Sequence, residues 1–98
     1  MATAQQIINE IDAYMKGFPN PNRDWYVGIA SDPEQRLFTD HKVRKDSGAW
    51  IYQKGDSTAI ARKVEDAYHD SGHDGGPGGG DASTVYVYAY LKTRGTDP

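Results

Sequence analysis

The 98-residue sequence contains no cysteine. That removes disulfides, thiolate metal sites, iron–sulfur clusters and cysteine nucleophiles together, and it fits a reducing compartment. No apolar run approaches the roughly 20 residues that a bilayer-spanning helix needs, so no membrane partner is expected. The opening stretch, MATAQQIINEIDAY, has neither a basic start nor an apolar h-region. It does not read as a secretory signal, and a cytoplasmic location is the expectation. An excess of positive charge is also lacking. The formal net charge of −3 argues against nucleic-acid binding through a general basic field, while leaving room for a local basic patch. Phenylalanine is scarce, two against seven tyrosines. Buried tyrosine hydroxyls need partners, so a tyrosine-rich small domain has either a polar groove or an adhesive face.

The length suits a single domain, 1–98. Thr3 to Lys16 reads as an amphipathic helix. Thr3 and Gln6 make a capping-box pattern, Ile7, Ile8, Ile11, Tyr14 and Met15 form one stripe, and Gly17 is a natural stop. The segment FPNPNRD is a loop. Asp24 to Ala30 is rich in aromatic and β-branched residues and reads as a strand. Ser31 or Asp32 as cap with Pro33 at the first helical position starts a helix. It carries Leu37 and Phe38 inward and ends near His41 or Lys42. Ala49 to Lys54 is a second strand. A helix capped by Asp56 or Ser57 follows, with Ile60, Ala61, Val64, Ala67 and Tyr68 on one face. Residues 71–83 hold six of the eleven glycines and form a linker or loop that cannot supply a core. Thr84 to Thr93 is the clearest strand, with Val85, Val87, Ala89 and Leu91 alternating against Tyr86, Tyr88 and Tyr90. The last residues, RGTDP, read as a polar tail. The order α-β-α-β-α-β predicts a small α/β (α+β) domain, a three-stranded antiparallel sheet flanked by three helices.

Several side chains in this layout are chemically interesting only together. Tyr26 and Tyr88 singly are ordinary strand aromatics, Arg36 an ordinary solvated helix residue, and Glu65 an ordinary surface charge. In order, however, Tyr26-Val27-Gly28 on a strand, a tight turn, and Arg36 on the following helix resemble the second half of the GIY-YIG nuclease module. Downstream, Trp50-Ile51-Tyr52 is followed by a helix with Ser57, Ala61 and Glu65 at the spacing of that family's glutamate helix. Spacings of four put Ala61 and Glu65 on one face. The family's first strand is not found before Trp25. Tyr86-Val87-Tyr88-Ala89-Tyr90-Leu91-Lys92 resembles it, with Tyr88 in the place of the "GIY" tyrosine. The resemblance thus implies a circular permutation over residues 24–92, the glycine-rich loop 71–83 making the new connection and residues 1–17 being an added helix.

The resemblance implies metal-dependent hydrolysis of DNA phosphodiester bonds. Tyr26 or Tyr88 would position or deprotonate the water, Arg36 would fork onto a phosphate oxygen, and Glu65 would hold Mg2+ or Mn2+. The family carries a histidine four residues after the arginine. Here position 40 is Asp and His41 comes one later, a rotation of about 100° on an α-helix, so His41 reaches the site only if the helix ends there. Lys42, Arg44 and Lys45 are candidates for contacting substrate phosphates. His69 and His73 are four apart, but the glycines after Ser71 argue against the helix that a zinc pair would need. The alternative reading is an inactive module of the same fold, an inhibitor or accessory protein that binds a protein partner through its tyrosine-rich face. The helix 3–16 either packs on its own sheet or makes a homodimer contact.

Overall fold

The computed structural model describes residues 3–75 and 83–98. The expected linker at 71–83 therefore lies partly outside the described residues. Helix α1 spans Ala4–Met15, with Thr3 and Gln6 exchanging both capping-box hydrogen bonds. Strand β1 is Trp25–Ala30, β2 is Trp50–Lys54, α2 is Thr58–Asp70 and β3 is Tyr86–Leu91. Ser57 caps α2 by accepting from the Ile60 N–H at 3.2 Å. The strands form one antiparallel sheet in the order β1-β3-β2. The three-stranded α+β architecture expected from the alternation of elements is present. Among the described residues no helix is long and apolar enough to cross a membrane.

The period-2 alternation of the strands sorts their side chains onto two faces. On one face Val27, Val87 and Ala89 meet Ile7 and Ile11 of α1 and Ala61, Val64 and Tyr68 of α2. Ile7 and Ile11 of the α1 stripe are thus buried in the chain's own core, each contributing about 1.5–3 kcal/mol, while Ile8, Tyr14 and Met15 are half-buried. The Tyr68 hydroxyl ties the two helices by donating to Asp12 at 2.8 Å. Ala67 was expected on the same face of α2; it is exposed, because the buried arc runs through Ala61, Val64, Glu65 and Tyr68 and leaves position 67 outside it. On the other face Tyr26, Tyr88 and Tyr90 pack with Leu37 and Val43.

The segment after β1 departs from a plain α-helix. Asp32 caps it, accepting from the Gln35 N–H at 3.1 Å, but Gln35–Asp40 is a π-helix. The His41 N–H donates to the Arg36 carbonyl, five residues back, at 2.8 Å. Lys42 then takes a left-handed conformation, φ 59°, which turns the chain so that the Val43 N–H reaches the Leu37 carbonyl at 2.8 Å. Left-handed non-glycine residues cost energy and are held by their surroundings; the buried Leu37 and Val43 supply that hold.

Candidate functional site

The tyrosine face brings most of the predicted site residues to one place. In the sheet register Gly28 stands opposite Tyr88, and Tyr26 opposite Tyr90. The Tyr88 ring lies across Gly28. A Cβ there would sit 2.6 Å from the Tyr88 hydroxyl oxygen and 2.7 Å from the ring carbon that bears it. The glycine of the Tyr-x-Gly motif is therefore the floor on which this ring rests. Tyr26 stacks on Tyr90 and Tyr88, with ring centroids 5.2 and 6.3 Å apart.

His41 enters from the end of the π-helix. In an α-helix the residue four positions on comes back above its start, whereas the wider π turn closes at five. The extra residue between Arg36 and His41 is absorbed in that turn, and the imidazole lies 4.6 Å from the Tyr26 ring, centroid to centroid. Its Nε2 is 2.8 Å from the Tyr88 hydroxyl. Its Nδ1 is 2.8 Å from the Asp97 carbonyl oxygen and 3.1 Å from the Tyr90 hydroxyl. A carbonyl can only accept, so Nδ1 carries the proton. Nε2 of the neutral ring is then an acceptor, and Tyr88 O–H donates to it. Burial pushes the His41 pKa below the ordinary histidine value, and the Arg36 charge adds to that, against the Asp97 hydrogen bond. The ring is therefore neutral, and its Nε2 accepts from the Tyr88 hydroxyl.

Arg36 is the second residue of the same π-helix and is half-exposed, its side chain 45% accessible and paired with Asp40 at 3.1 Å. Burial disfavours its charge, but the Tyr88 hydroxyl and Asp40 outweigh that and the net shift is upward. Tyr88 is pushed up to about 12 by burial, while the hydrogen bond with Arg36 pulls the other way. Glu65 is 5% exposed, with its pKa raised by burial. One turn further along α2, His69 donates from Nε2 to the Val27 carbonyl at 3.0 Å, which fixes this face of the helix beside the outer edge of β1. The Glu65 charge reaches Tyr88 and opposes its ionisation.

Lys42, Arg44 and Lys45 are exposed on the following loop and are not part of the cluster. Lys42 and Arg44 line a separate cavity of about 200 Å³ with Ser47, Thr93 and Thr96, and Lys45 sits over the Phe38 ring. His73 contacts the Tyr68 carbonyl through Nδ1 at 3.0 Å. Among the described residues no three His, Asp or Glu side chains come together as a metal cage. Glu65 alone fits a hard cation of the Mg2+ or Mn2+ kind, which keeps several waters and needs only one or two carboxylates; such a cation would also offset the cost of burying that carboxylate.

Two members of the cluster were not singled out from sequence. Tyr90 was detectable, since alternation along β3 puts it on the face of Tyr88. The Asp97 carbonyl was not, because a backbone oxygen carries no residue-type signal and the tail reads only as polar.

Compared with protein-family models, curated proteins and solved structures, the chain has no significant match.

Proposed function

We propose that this protein is a metal-dependent phosphodiesterase of GIY-YIG type acting on DNA, with β3 as the permuted first strand. The observation that carries the reading is the meeting of Tyr88, Tyr26, Arg36 and His41 on one face of the sheet, with Glu65 in the field of the same hydroxyl. These residues come from four elements, β1, the π-helix with its end, α2 and β3.

Arg36, the exposed member, meets a phosphate first and forks onto a non-bridging oxygen. Tyr88 then relays a proton. As a water oxygen attacks phosphorus, its proton passes to the Tyr88 oxygen, and the Tyr88 proton passes to His41 Nε2. As the O–P bond to the leaving oxygen breaks, that oxygen takes a proton from solvent, and the imidazolium, with Nδ1–H still on the Asp97 carbonyl, gives its extra proton back to solvent, so that one water is consumed and the protein is restored. The high pKa of Tyr88 makes a standing tyrosinate unfavourable, so the hydroxyl acts as a relay rather than as a resident base. Tyr26 walls the relay through ring stacking. Held by Glu65, Mg2+ or Mn2+ would neutralise charge gathering on the phosphoryl oxygens.

The reading is tested by plasmid nicking in Mg2+ or Mn2+ across pH 6–10, with wild type, Glu65→Ala and Arg36→Ala. Cleavage by wild type and its loss in both variants supports it. No cleavage by wild type overturns it in favour of the inactive, partner-binding module. One observation favours that second reading: Tyr88 is 1% exposed, His41 4% and Glu65 5%, so the cluster is shielded as a packing network would be.

A further inference from the structure

We infer that the C-terminal turn Thr93–Asp97, closed by the Thr96 hydroxyl, is a positioning device that holds His41 in one tautomer and one orientation. Asp97 grips His41 twice. Its N–H donates to the His41 carbonyl at 2.7 Å, and its carbonyl accepts from His41 Nδ1 at 2.8 Å. One residue thus fixes both the backbone and the ring of His41.

Asp97 is delivered to this place by a small staple. The Thr96 hydroxyl donates to the Thr93 carbonyl and accepts from the Thr93 N–H, each at 2.9 Å. The Thr96 N–H adds a bond to the Thr93 carbonyl at 3.2 Å. At the other end of the turn the Lys92 N–H donates to the Asp24 carbonyl at 2.8 Å, anchoring the tail to the start of β1. Thr96 itself makes no hydrogen bond to the cluster. Its effect on His41 passes through the turn, which makes it a positioning residue. Tyr90 completes the device from the sheet side: its hydroxyl, 3.1 Å from Nδ1, is a second acceptor on the same N–H.

Without this device the ring could flip or exchange its proton to Nε2. Tyr88 would then face a donor and lose its acceptor. The consequence for catalysis rests on the phosphodiesterase reading; the consequence for the ring does not.

The experiment reads the His41 ring nitrogens by long-range 15N–1H NMR in wild type, Thr96→Val, Thr96→Ser and Asp97→Pro. Thr96→Val keeps the shape and deletes both hydroxyl bonds. Thr96→Ser keeps the hydroxyl. Asp97→Pro deletes the N–H of the grip together with the Asp97 carboxylate, and narrows the backbone freedom of Thr96. Wild type and Thr96→Ser are expected to show one fixed tautomer, protonated at Nδ1. Thr96→Val and Asp97→Pro are expected to show ring nitrogens moved toward the average of the two tautomers, with the rest of the spectrum folded. Cleavage, measured beside it, is expected to fall roughly tenfold to 100-fold in kcat at unchanged KM in Thr96→Val and to return in Thr96→Ser. An unaltered single tautomer in both Thr96→Val and Asp97→Pro overturns the inference whether or not the protein cleaves DNA. A shifted tautomer in a protein that never cleaves sustains the device and sinks the phosphodiesterase reading alone.

Discussion

The two faces of the sheet are built on different principles. The helix-covered face is mostly aliphatic: Ile7, Ile11, Val27, Val64, Val87 and Ala89 fill it beside one tyrosine, Tyr68, and shape and area largely decide its energy. The other face buries tyrosines and a histidine, where a missing partner costs about 1–3 kcal/mol. Its hydroxyls and ring nitrogens are therefore held in a shared network, His41 Nδ1 between Asp97 and Tyr90 and the Tyr88 hydroxyl between His41 and Arg36, and position matters there more than volume. The first face can hold the fold of a small domain, and on the proposed reading the second is kept for chemistry.

That division can be broken from either side. The largest effect belongs to the aliphatic face. Ile11→Ala is expected to cost about 2–5 kcal/mol, read by thermal or urea unfolding, with cleavage per folded molecule unchanged. Altered chemistry in the folded fraction would erase the division. Next is Gly28→Ala, which forces Tyr88 off its floor. About 1–3 kcal/mol of stability should go, and cleavage should fall far more than the folded fraction does.

Glu65→Gln sharpens the comparison by moving stability and activity in opposite directions. Burial raises the Glu65 pKa in the fold, so the folded state binds that proton more tightly than the unfolded chain. The contribution is present below the ordinary carboxylate value and is lost as pH rises through the raised one. Glu65→Gln should remove this decline and match or exceed the wild-type melting temperature at pH 8, measured by scanning calorimetry, while abolishing cleavage. The smallest effect is expected at Ala67, which lies on α2 but outside its buried arc. Ala67→Lys should stay within about 0.5 kcal/mol of wild type in the same measurement.

Much of this arrangement is legible in the residues. The capping box at Thr3, the proline-started turn after β1 and the tyrosine alternation in β3 each state a local preference that the fold keeps. Alternation puts Tyr26 with Gly28, and Tyr88 with Tyr90, on one face of their strands, whereas the pairing of those two strands is implied only by the family resemblance. The π-helix was not legible. No residue type encodes it, and Gln35–Asp40 satisfies an α-helical reading equally well; the burial of Leu37 and Val43 around Lys42 decides it. Ala67 was misplaced because alanine suits either side of a helix. The part played by the tail was hidden for a plainer reason: the acceptor that orients His41 is a main-chain oxygen, present at every position of any sequence.

The wide turn between Arg36 and His41 has an evolutionary corollary. A π-helical turn differs from an ordinary one by a single amino acid, so removal of one codon among 37–40 would narrow the turn and bring the imidazole to four positions after the guanidinium. The side chain would travel little in space while its address in the gene changed. Lineages could thus gain or lose that residue without moving the ring, and an alignment column in which this histidine slips by one need not record any loss of its place beside Tyr88.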